Sequence, residues 1–135
     1  MRSKTILMTT LLCAGTALAA CNQAESPSET ARDVSETRRE AQQDLREAQR
    51  EAAEQRADAR QQETTPGVPG ARTGETDAEA AFEVQKQRIE GEYDVAIQQC
   101  EGMEGEAQDQ CKEQAEQRRD QAMQQAEAQR ERTTM

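Results

Sequence analysis

The 135-residue chain has no tryptophan and no histidine, and only one phenylalanine and one tyrosine. Each absence closes a class of function. Without histidine there is no Ser-His or Cys-His nucleophile pair, and a zinc site loses its commonest nitrogen ligand. No Gly-rich phosphate loop follows a strand. The apolar residues that remain are mostly alanine, which buries little area. At about 25 cal/mol per Å², such burial struggles to offset the entropy of ordering a chain this long. Carboxylates are plentiful, but general acid and base work needs a pocket that shifts their pKa values, and thin helices offer little burial. The composition therefore reads as non-enzymatic, with no cofactor and no metal site expected.

Positive charge is the next shortage: 17 Lys and Arg stand against 27 Asp and Glu, a formal net charge of -10. Phosphate-backbone binding relies on clustered cations, so nucleic acid is not an expected partner. What the chain has in abundance is Ala, Glu, Gln and Arg, all good helix formers, with few β-branched residues. The fold class that follows is all-α: an extended N-terminal helix, a flexible Pro/Gly linker and a C-terminal antiparallel helical hairpin. Partial disorder is the competing state for so polar a chain.

One apolar run interrupts this pattern, residues 5–19 behind Arg2 and Lys4. It is broken by Thr9, Thr10 and Thr16 and falls short of the ~20 residues of a spanning helix. A cationic start, a short apolar middle and small residues at its end read as a secretory signal peptide, residues 1–20. The run closes with Leu18-Ala19-Ala20-Cys21, which resembles the lipobox of bacterial lipoproteins at all four positions. The resemblance implies that the Cys21 sulfur receives a diacylglycerol, that cleavage precedes Cys21, and that the new amino group is often acylated. Two or three chains make such an attachment durable. Asn22, where an Asp favours inner-membrane retention in some relatives of this class, implies the periplasmic face of the outer membrane. The alternative is ordinary cleavage after Ala17-Leu18-Ala19, giving a soluble periplasmic protein. Removal of residues 1–20 takes away Arg2, Lys4 and no acid, so the charge of -10 becomes -12. That charge repels anionic headgroups, leaving the lipid as the membrane partner.

Residues 21–63 read as a charged helix behind a short tether. In Ser26-Pro27-Ser28-Glu29, Ser26 suits an N-cap, Pro27 the first helical position and Glu29 a capping box. Nothing breaks the pattern before Glu63, an arm of roughly 55 Å at about 1.5 Å per residue. Arg39-Glu40-Ala41-Gln42 recurs seven residues on as Arg46-Glu47-Ala48-Gln49. The seam this creates, Val34, Ala41, Ala48 and Gln55 with Arg38, Leu45, Ala52 and Ala59, is a thin surface for pairing with a second copy. Residues 64–75 form the linker, where Pro66 and Pro69 withdraw backbone donors and three glycines loosen the chain. Thr76-Asp77-Ala78-Glu79 repeats the capping-box pattern and opens residues 76–133. Phe82, Ile89, Ala96 and Met103 then alternate with Tyr93, Cys100 and Ala107 at spacings of three and four, a true apolar stripe. Gly91 interrupts it at a cost of about 1 kcal/mol relative to Ala.

With Cys13 in the signal and Cys21 claimed by lipid, Cys100 and Cys111 remain. In an oxidising compartment such a pair points to a disulfide. In one straight helix the two would lie about 16 Å apart, whereas a disulfide needs Cα atoms within about 7 Å. The helix must therefore break between them, and Gly102 and Gly105 suit a reversal. Reflection across the turn places Ala96 near Ala115, Tyr93 near Arg118 and Ile89 near Ala122. Intermolecular bridges and lone thiols are the alternatives; a zinc site would be half built, and a redox catalyst would show Cys-x-x-Cys.

Tyr93, Ala96, Cys100, Gly105 and Cys111 together resemble a group of uncharacterised Ala- and charge-rich periplasmic proteins of proteobacteria, over roughly residues 85–128. Met103 stands where Leu is commoner there. The resemblance implies a stapled helical hairpin and brings no activity. Two functions follow as expectations. The first is a lipid-anchored spacer or interaction module that meets an envelope protein the sequence does not name, or a second copy of itself. The second is a small chaperone-like or stress-associated binder using Phe82, Ile89 and Tyr93 as its interaction face. Covalent attachment to the cell wall, as in the major outer-membrane lipoprotein, is not expected, because Met135 follows Thr133 and Thr134 where that protein has a lysine.

Overall fold

The computed structural model describes residues 24–63 and 72–134, arranged as three helices. Helix α1 spans Pro27–Glu63, α2 Arg72–Glu101 and α3 Gly105–Thr134. The signal peptide, Cys21 and most of the linker, residues 64–71, lie outside the described residues. Among the described residues there is no strand, and the all-α fold with its α2–α3 hairpin stands.

Helix α1 starts where Ser26 and Pro27 place it. The Ser26 N–H donates to Glu29 Oε2 at 3.1 Å, the Glu29 N–H donates to Ser26 Oγ at 3.3 Å, and the Thr30 N–H reaches the Ser26 carbonyl at 3.0 Å. Two end groups with no partner in the helix are satisfied reciprocally. Helix α2 departs from expectation: it begins at Arg72 and places Thr76 inside its second turn. Four residues assigned to the linker are thus helical, and Gly74 is absorbed at the modest cost of a glycine in a helix.

The break between the cysteines falls at Gly102, Met103 and Glu104, where the Met103 N–H bonds the Cys100 carbonyl at 3.0 Å. Gly105 carries the left-handed backbone, φ +54°, that starts α3 in its new direction. Any residue with a Cβ would be strained there. Cys100 and Cys111 are joined, with Cα atoms 5.7 Å apart.

Helix α1 does not stand clear of the hairpin as an arm. It runs antiparallel along α2, with Ala41 against Gly91 and Arg56 beside Asp77 at 3.5 Å. The seam read as a surface for a second copy is occupied by α2, and Ala52 is buried there. Helix α3 packs along another side of α2, while α1 and α3 do not approach each other. The described residues therefore form a layer of three helices with α2 in the middle. Gly91 explains how α1 comes so close: a Cβ at that position would lie 2.7 Å from the Ala41 Cβ. The glycine that weakens α2 as an isolated helix is what lets α1 lie on it.

Candidate functional site

The described end of the molecule nearest Cys21 is also the stapled end. The Glu25 N–H donates to the Glu101 carbonyl at 3.1 Å, which ties the start of α1 to the end of α2. Thr30 sits against Gly102, 3.2 Å from where a Cβ would be. Glu101 gathers this end together. One carboxylate oxygen accepts from Lys112 Nζ at 2.7 Å, and the other accepts from Gln108 Nε2 at 2.9 Å. Gln108 is buried, and this bond gives its amide N–H a partner where an unpaired donor would be costly.

Phe82 and Ile89, expected to form an interaction face, are only 8% and 5% exposed. They pack against Ala122, Met123 and Ala126 of α3 and form the core of the hairpin. The correction has a simple cause. Alanines at spacings of four and seven on α3 present a small-residue stripe into which the large residues of α2 fit. Tyr93 is half-buried, with the Arg119 guanidinium 4.7 Å above its ring. Arg130 lies 4.6 Å above the Phe82 ring and 3.6 Å from Glu79. Each stack is worth about 0.5–1 kcal/mol when exposed. Ile89, Tyr93, Ala96, Ala115 and Ala122 line one hollow, so the expected register holds to within a residue, with Arg119 rather than Arg118 over the tyrosine.

The sequence reading missed the arrangement of charge on α1. Glu29, Asp33, Glu36, Glu40, Asp44, Glu47, Glu51, Glu54 and Asp58 recur at spacings of three and four, one continuous stripe along the helix. The signal was present in the spacing of the acids along the sequence. Among the described residues none of these carboxylates lies within ion-pair distance of a cation. Arg39, Arg46 and Arg50 turn their Nε donors to carbonyls of their own helix, at 3.1, 2.9 and 3.3 Å. Glu29 differs in being bonded at the cap; the Ser26 hydroxyl and then the Ser26 amide hold its carboxyl below the ordinary glutamate range.

Two further hollows flank the α1–α2 seam. A small one is lined by Glu51, Ala52, Ala80 and Glu83. A larger groove of about 440 Å³ has Ala41, Leu45, Gly91 and Val95 among its lining residues, with Arg38 and Arg88 at its edge. The two hollows follow one another along the seam, and Gln87 lines both. No group of three or more His, Cys, Asp or Glu side chains capable of holding a metal ion occurs among the described residues. No described helix is long and apolar enough to cross a membrane. No family model matches the chain, and neither a curated protein nor a solved structure matches it.

Proposed function

We propose that the protein is a non-enzymatic, lipid-anchored envelope protein that faces the periplasm, with Cys21 acylated in the outer membrane and the three-helix layer serving as a spacer and interaction module. The observation that supports it best is the disulfide between Cys100 and Cys111. Structural disulfides belong to oxidising compartments, and an exported location is what the leader and lipobox of the same chain imply.

Geometry gives the proposal a direction. Glu25 follows Cys21 by four positions, at most about 14 Å of chain. Glu25 is bonded to Glu101, so the α2–α3 turn lies on the bilayer side and the end of α3 points away from it. The layer extends roughly 55 Å, the length of α1 at about 1.5 Å per residue. The chaperone-like reading loses its expected face, because α3 covers Phe82 and Ile89.

The test is to replace Cys21 with Ser and follow acyl labelling and membrane fractionation. Loss of label and release from the membrane are the expected results. Unchanged membrane retention without acyl label would overturn the anchor.

A further inference from the structure

We infer that the groove between α1 and α2 is a binding site for a single-chain anionic amphiphile, a long-chain carboxylate. This goes beyond the anchoring proposal and does not depend on it.

The groove has the size of a ligand site. Its volume of about 440 Å³ falls within the ~300–1,000 Å³ typical of small-molecule sites. Its lining combines the two chemistries such a ligand needs. Ala41, Leu45, Gly91 and Val95 supply an apolar surface. Leu45 and Val95 stay only half-buried after α1 has docked, so a part of their surface is left for an alkyl chain.

Charge selects the head group. Arg38 and Arg88 lie at the edge of the groove, both exposed, and neither forms an ion pair among the described residues. In a chain with ten more acids than bases, two unpaired guanidiniums beside one apolar groove are a local reversal of sign. Glu92 is the single acid lining it. A guanidinium recognises a carboxylate through paired N–H donors, which an alcohol or a quaternary ammonium cannot match. A second copy of the chain is a poor occupant: the acidic stripe of α1 carries anions without an apolar row among them.

Calorimetric titration of disulfide-bonded Cys21→Ser protein with dodecanoate, below its micelle concentration, tests the assignment without a protein-borne acyl chain competing. One saturable site is expected, with dodecanol and dodecyltrimethylammonium at least about tenfold weaker. Combining Arg38→Gln with Arg88→Gln, both at exposed positions, should bring dodecanoate down to the level of dodecanol while circular dichroism is unchanged. Leu45→Gln should weaken dodecanoate and dodecanol together. Absence of saturable uptake by the folded protein overturns the inference, as does equal binding of the three amphiphiles or an unchanged affinity in the double arginine variant.

Discussion

At the scale of single residues, the cap of α1 and Gly91 make the sharpest commitments. Ser26→Ala removes an N-cap oxygen, and a loss of about 1 kcal/mol in denaturant unfolding is expected. The Glu29 carboxyl is held below its ordinary value by the Ser26 hydroxyl and amide. A group whose pKa is depressed on folding contributes stability that is fully present above its unfolded value. That contribution fades as the pH falls through the folded value. The cost of Ser26→Ala should therefore shrink in acid, below the ordinary glutamate range, and a pH series of unfolding curves on both proteins checks it. At Gly91, helix propensity alone makes Ala the better residue by about 1 kcal/mol. With the Ala41 Cβ only 2.7 Å from the new methyl, overpacking costing about 1–3 kcal/mol opposes that gain. Gly91→Ala should destabilise the protein, and adding Ala41→Gly should recover part of the loss. A stabilised Gly91→Ala protein would mean that α1 does not lie on α2 as described.

At the scale of elements, the staple and the apolar core of the hairpin act together. A disulfide closing an eleven-residue separation is worth about 3 kcal/mol in the chain-entropy model. Reduction should lower the melting temperature measured by circular dichroism, and it should lower it most in a Phe82→Ala protein, itself expected to lose about 3 kcal/mol. These elements also show what the sequence made legible. Ser26-Pro27-Ser28-Glu29 marks the start of α1 because a capping box is local chemistry. The break near Gly102 follows from the reach of a disulfide, a rule that needs only two residues. The docking of α1 on α2 was not legible, because a seam of alanines with one leucine fits another copy of itself as well as it fits α2. The early start of α2 at Arg72 escaped notice because a capping-box pattern at Thr76 can also lie within a helix. Phe82 and Ile89 were legible as an apolar face, and reflection across the turn already set Ile89 against Ala122; what the spacing did not show is that this small-residue stripe covers the face so fully.

At the scale of the whole molecule, charge is the feature that no local reading supplies. The nine acids of the α1 stripe repel at i,i+4 by a few tenths of a kcal/mol per pair, and no cation among the described residues offsets them at contact distance. Salt screens such exposed charges within about 10 Å at 0.1 M. The melting temperature should rise between low salt and 0.5 M sodium chloride, and a fall would show that the surface ion pairs outweigh the repulsion. The proposed orientation is testable on the same scale, because the chain lacks tryptophan and Met103 is exposed in the turn. Met103→Trp in the acylated protein on brominated-lipid vesicles should be quenched more strongly than Thr133→Trp; equal quenching would place the layer flat on the membrane.

The bond between Glu25 and Glu101 also decides how the molecule carries tension. The chain enters the layer at the turn and α3 leaves it at the opposite end. A pull between the two ends is therefore directed along the helix axes. Such a load slides α1 against α2 and α2 against α3, so every contact along both seams resists at once. Had the chain entered and left at the same end, the helices would peel apart one turn at a time. Mechanical strength in this protein belongs to the length of its seams, a property that a thin core of alanines can still supply.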